Sequence, residues 1–179
     1  VKLKYNTNLT NIPKDLITKW EQFKFVQLNC SIDAIGELDR YIRYPSDWDT
    51  ISNNYNNIKQ ISNVGAEIHC TVQMYNILRL HEFIKWTQEQ NSNIYFNILN
   101  HPEYLNIRVL PQKLKDAVTN NLQEYIHVPK VNHIINYMNL EDWSHCLNSF
   151  KNYTVKLDEK RGQQLTNIVP EFKEVFHNE

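Results

Sequence analysis

The chain has 179 residues, enough for one substantial core, because a domain of this size hides roughly 70% of its unfolded surface. Its 19 basic and 20 acidic residues leave a formal net charge of -1, which argues against a nucleic-acid footprint and against a basic patch for anionic membranes. Three widely spaced cysteines, Cys30, Cys70 and Cys146, with no Cys-x-x-Cys pair, fit reduced thiols in the cytoplasm better than a disulfide framework.

No stretch approaches the roughly 18 apolar residues of a membrane helix, and no signal-peptide pattern opens the chain, so a soluble cytoplasmic protein is expected. Asn8-Leu9-Thr10, Asn29-Cys30-Ser31 and Asn152-Tyr153-Thr154 match the glycosylation sequon, but a chain this rich in asparagine produces such matches by chance. Val1 to Tyr5 already reads as a strand ending in Asn6, Thr7 and Asn8, and the chain is expected to start within a fold.

A first helix follows, with Asn11 at a cap position, Pro13 in the first turn, and Leu16, Ile17, Trp20 and Phe23 at helical spacing. Residues 24–32 form a second strand, apolar enough at Phe25, Val26, Leu28, Cys30 and Ile32 to be buried on both faces. A loop with Glu37, Asp39, Arg40 and Arg43 leads to Ser46, which with Asp49 makes a variant capping box for a helix marked by Trp48, Ile51, Tyr55 and Ile58. Asn63 and Gly65 stop that helix. Residues 66–76 make a third strand, with Ile68, Cys70, Val72 and Met74 on one side and Asn76 at its carboxyl end.

A helix from Leu80 to Gln90 and a fourth strand over 94–99 complete a βαβαβαβ order. Strands alternating with helices argue for parallel pairing with right-handed crossovers and exclude an antiparallel sandwich. From Pro111 onward the spacing is helical throughout, at Leu114, Val118, Leu122, then Ile134, Ile135, Met138, then Trp143, Leu147, Phe150. The expected fold class is therefore α/β, with about four parallel strands in residues 1–110 and a helical C-terminal extension in 111–179.

In α/β sheets the carboxyl ends of strands carry the ligand site, and Ser31, Asp33 and Arg43 converge at one such end. Pairs such as His69-Cys70 and His145-Cys146 invite a metal reading, yet adjacent residues on a strand point to opposite faces and no His-x3-His clamp accompanies them. No metal site is expected. The loop after the fourth strand holds His101, Glu103 and Arg108, and reads more readily as packed by Tyr104, Leu105 and Leu110 than as a substrate contact. No G-x-S-x-G, phosphate-binding glycine loop or H-E-x-x-H supports a hydrolase or nucleotide triphosphatase.

Ser31-Ile32-Asp33, then Gly36 and the run ELDRYIRYPSDWDTISNNYNNI, resembles the fourth strand, following loop and helix of radical S-adenosylmethionine enzymes. The likeness is to the peptide-maturase-like group, often with a twitch domain, and Asp33, Arg43, Trp48 and Asn54 all fit its pattern. Asn6-Thr7-Asn8 stands where such enzymes end their third barrel strand, and LDEKRGQQLTNIVPEFKEVF from Leu157 to Phe176 resembles their closing segment.

The resemblance implies a partial (β/α) barrel whose four strands are the third to sixth of the family. It implies that Ser31 and Asp33 hold the ribose of S-adenosylmethionine, that Arg43 neutralises its carboxylate, and that Asn76, with Asn6 and Asn8 as weaker candidates, completes the polar shell. Arginine suits a carboxylate better than lysine because its fork is bidentate.

The family's Cys-x3-Cys-x2-Cys loop, which holds the four-iron cluster, is absent from this sequence, and the dispersed Cys30, Cys70 and Cys146 do not replace it. The two missing βα units amount to roughly 60 residues at about 30 each. This chain is therefore expected to be a C-terminal fragment, itself inactive and with no catalytic residue of its own. Its parent would cleave S-adenosylmethionine and abstract hydrogen from a substrate such as a peptide. No tightly bound cofactor is expected in this chain, and self-association through the exposed edge of its first strand follows from a clipped sheet. The alternative is a stand-alone, cluster-free α/β domain that binds a small ligand, such as a nucleoside, or a protein partner.

Overall fold

Strands and helices alternate along the first hundred residues, as the apolar spacing dictates. In the computed structural model, which describes residues 1–177, the order is β1 (Lys2–Thr7), α1 (Lys14–Trp20), β2 (Phe25–Ser31), α2 (Gly36–Ile42), α3 (Trp48–Lys59), β3 (Val64–Val72), α4 (Leu80–Glu89) and β4 (Ile94–Ile98). Helices α5 (Gln112–Leu122), α6 (Val131–Leu140), α7 (Leu147–Arg161), α8 (Leu165–Ile168) and α9 (Lys173–His177) follow, with short 3-10 turns between them. The strands form one open parallel sheet in the sequential order β1-β2-β3-β4. No helix among the described residues is long and apolar enough to cross a membrane.

By its internal contacts the chain divides into two compact units, Val1–Cys70 with Lys85–Tyr95, and Thr71–Ile84 with Phe96–Glu179. In the first unit every second residue of the central strands is inside: Val26, Leu28 and Cys30 on β2 and Ile68 and Cys70 on β3 are fully buried. Tyr5 of β1 stands in register with Leu28 and meets Trp20 of α1 at 6.3 Å between ring centroids. Burial of these side chains, at about 25 cal/mol per Å² of apolar surface, is what holds the sheet to its helices.

The intervening residues Phe25, Gln27, Asn29 and Ser31 are only half-buried. The expectation that β2 is buried on both faces is thus corrected. From Val26 to Ser31 its polar residues alternate with its apolar ones, and beyond Phe25 one face stays polar.

Three local readings also change. Residues 36–42 are not loop but helix α2, entered through Gly36 in the left-handed region (φ 59°), which glycine adopts without a steric cost. The cap of α3 is Asp47, whose carboxylate accepts from the Thr50 N–H at 3.0 Å, while Ser46 turns back to Asp39 and Asp49 pairs with Arg40 at 2.9 Å. Gly65 lies inside β3 rather than stopping the preceding helix. There a Cβ would come 2.7 Å from the Phe25 ring and 2.8 Å from the Gln27 amide oxygen.

Both neighbours of Gly65 are the tips of side chains that can swing, so Gly65→Ala is expected to lower stability by only about 1 kcal/mol. The check is the midpoint of urea unfolding, and a loss above about 3 kcal/mol would mean that those tips are locked.

The second unit has its own core. Tyr75, Phe150 and Phe172 pack in series, with ring centroids 5.4 and 5.5 Å apart, and the Tyr75 hydroxyl meets the Thr154 hydroxyl at 2.9 Å. Helix α5 packs on α6 through the apolar stripes expected for both.

Candidate ligand site on the sheet

At the carboxyl end of β2 the chain buries two carboxylates. Asp33 is 5% exposed and Asp39, on α2, is 0% exposed. One guanidinium answers the first of them: Arg43 Nη2 lies 2.8 Å from Asp33 Oδ2. Ser46 donates to Asp39 Oδ2 at 3.3 Å. Burial pushes the Asp39 carboxyl up to about 6; the Arg43 charge opposes that rise, the Asp33 charge adds to it, and hydrogen bonds from the Asp33 backbone and Ser46 pull it down. The Cys70 thiol reaches the Asp33 carbonyl oxygen at 3.7 Å, and burial holds it far above its ordinary range. Sequence reasoning brought Asp33 and Arg43 to one place, and there the structure pairs them with each other.

The other cluster lies on the polar face of the sheet. Parallel register puts Asn6 of β1, Asn29 of β2 and Glu67 of β3 in one row, and Ser31 beside His69 in the next. Lys4 stands opposite Gln27 one row back. Asn29 donates to the Asn6 amide oxygen at 2.9 Å, and the Tyr95 hydroxyl donates to Glu67 at 3.3 Å. The His69 and Tyr95 rings stack at 5.1 Å with an interplanar angle of 20°. Burial lowers the pKa of His69, with Glu67 opposing and Lys4 reinforcing the shift, so the imidazole favours its neutral form. Three atoms of this face, Gln27 Nε2, Asn29 Oδ1 and His69 Nε2, are closed to water and have no hydrogen-bond partner among the described residues. Native structures leave few such groups, and each costs about 1–3 kcal/mol.

Of the six residues singled out from the sequence, Ser31 and Asn6 therefore lie on this polar face, and Asp33 and Arg43 form the buried pair. Asn8 accepts from the Thr10 N–H and hydroxyl at 3.3 and 2.9 Å and shapes the turn after β1. Asn76, 1% exposed, accepts from the Gln73 N–H at 2.8 Å and donates to the Thr71 carbonyl at 2.9 Å, locking the turn that follows β3. Asn76 thus stands beyond the strand, because β3 ends at Val72.

Lys4, Gln27, Glu67 and Tyr95 escaped the sequence reading, which weighed His69 only as a metal ligand and Asn29 only as part of a sequon. A signal for Glu67 and His69 was present, since the apolar alternation Ile68, Cys70, Val72 leaves them on the opposite face.

The thiols do not fit an iron–sulfur cluster. Cys30, Cys70 and Cys146 are all buried and stand on two different strands and in the turn before α7, with no Cys-x3-Cys-x2-Cys spacing among them. Among the described residues no group of three or more His, Cys, Asp and Glu side chains is placed to hold a metal ion. Comparison with protein-family models finds no match to this chain, and comparison with curated proteins and with solved structures finds no significant one.

Proposed function

We propose that this chain is the later part of a radical S-adenosylmethionine barrel and serves to hold the cosubstrate rather than to cleave it. The observation that carries the reading is the set of unpartnered polar atoms on Gln27, Asn29 and His69, spread over three successive rows of the sheet face that also carries Ser31 and Asn6. The architecture supports it as well. A sequential parallel order is that of consecutive strands in a (β/α) barrel, where inward-facing side chains and strand ends meet the ligand, whereas a doubly wound sheet reverses its order.

In this reading the Asn6, Asn29 and Ser31 side chains take the ribose hydroxyls. Asp33 and Arg43 hold the strand end, and Arg43, with 24% of its side chain exposed, meets the carboxylate from its place beside Asp33. Reductive cleavage would need a four-iron cluster on cysteines that this sequence does not contain.

Calorimetric titration with S-adenosylmethionine tests the proposal. Saturable binding is expected, weakened about tenfold by Ser31→Ala and by Asn6→Ala and unchanged by Asn8→Ala, since one lost hydrogen bond is worth about 1–1.5 kcal/mol. A folded protein that binds no S-adenosylmethionine at millimolar concentration would overturn it.

A second reading, a cluster-free binding domain, rests on the same polar sheet face in a sequence without the Cys-x3-Cys-x2-Cys loop. It expects adenosine, without the methionine part, to bind as tightly as S-adenosylmethionine.

A further inference from the structure

Helix α7 ends beside a cavity of about 410 Å³ that belongs wholly to the second unit and plays no part in the sheet site. That volume lies within the roughly 300–1,000 Å³ of small-molecule pockets. Val155 and Phe176 supply apolar wall, and Asp158, Glu159, Gln163 and Thr166 supply oxygen. Two carboxylates thus line the cavity, while the basic residues of the last turn, Lys160 and Arg161, are not among its lining residues.

Two acceptors of the wall are unmet. Asp158 Oδ2 accepts from the Leu165 N–H at 3.0 Å, but Asp158 Oδ1 and Gln163 Oε1 are closed to water and have no partner among the described residues. The position adds the same sign of potential. Gly162, left-handed at φ 62°, caps the 15-residue α7, and the carboxyl end of a helix carries partial negative charge. Carboxylates, surplus acceptors and a helix C-terminus call for a cation that donates hydrogen bonds, and the Val155 and Phe176 walls call for an apolar stem on it.

We propose that this cavity binds a primary alkylammonium group, whether from a free amine or from a lysine side chain presented by a partner. The inference is independent of the S-adenosylmethionine reading.

Titration of the full chain with pentylamine, followed by backbone amide chemical shifts, is the test. Saturable shifts at Gly162 and Gln163 are expected with pentylamine and not with pentan-1-ol. Glu159→Gln, at an exposed position, is expected to leave thermal unfolding unchanged and weaken amine binding several-fold. Gln163→Leu should weaken it about tenfold, the worth of a hydrogen bond to a charged group. Nα-acetyl-lysine methylamide distinguishes the sources: tighter binding than pentylamine assigns the site to a partner's lysine, and weaker binding to a free amine. Equal shifts from pentylamine and from sodium chloride at matched ionic strength, or no shift at these residues, would overturn the proposal.

Discussion

Replacing Arg43 with alanine is expected to lower stability by about 3 kcal/mol, the largest effect of any single change at the strand end. Arg43 itself is partly exposed, but its partner Asp33 has only 6% of its side chain in contact with solvent. Truncation therefore leaves a buried carboxylate without its counter-charge, beside a second buried carboxylate on Asp39. Removing one partner of a buried pair costs about 3–5 kcal/mol, and the residual exposure of Arg43 places the expectation at the low end.

The measurement is the urea midpoint at pH 7 with an unchanged slope. Asp33→Asn in the Arg43→Ala background should recover a large part of the loss, which a double-mutant cycle reads as coupling. A loss below about 1 kcal/mol, the value of an exposed pair, would sink the assignment of a buried pair.

Asp39→Asn is expected to stabilise the protein by about 1–2 kcal/mol at pH 8 and by nothing below pH 4. Burial raises the folded-state pKa of Asp39 from 3.8 to about 6. Between those values the folded state holds a proton that the unfolded state has released. The stability it contributes is complete below the unfolded pKa and is lost as pH rises through about 6. Above that pH the wild type carries two buried carboxylates and one guanidinium, whereas the amide carries no charge to desolvate. Part of the gain is lost because the amide serves the Asp33 backbone and Ser46 less well than a carboxylate. Denaturation of both proteins at pH 4, 6 and 8 gives the check: a stability difference that does not grow with pH would refute the raised pKa.

These expectations bear on function. Arg43 would meet a ligand's carboxylate while already committed to Asp33, so it offers a shared charge rather than a free one. Ser31 and Asn6 stand on a face with unmet hydrogen-bonding capacity, and the binding test is accordingly placed on them.

Local spacing was enough to read the apolar alternation of Ile68, Cys70 and Val72 and the helical stripe of Trp48, Ile51, Tyr55 and Ile58. Side chains two or three to four residues apart share a face of a strand or a helix whatever surrounds them. The succession of strands and helices likewise determined the parallel α/β class, because such connections close only with parallel pairing. Helix α2 was not legible: seven residues with Gly36 at the start and Asp39 inside have too few turns to show a period.

The candidate site was legible only in part. Ser31, Asp33 and Arg43 lie within 12 positions of one another and could be placed at one strand end. That Arg43 would turn to Asp33, and that Asp39 would be buried beside them, depended on how α2 packs. The row of Asn6, Asn29 and Glu67 joins residues from three strands, and strand register is set by the packing of the opposite, apolar face rather than by any local pattern. Sequence alone thus determined which residues could face together along each strand or helix, and only the tertiary structure decided which of those faces met.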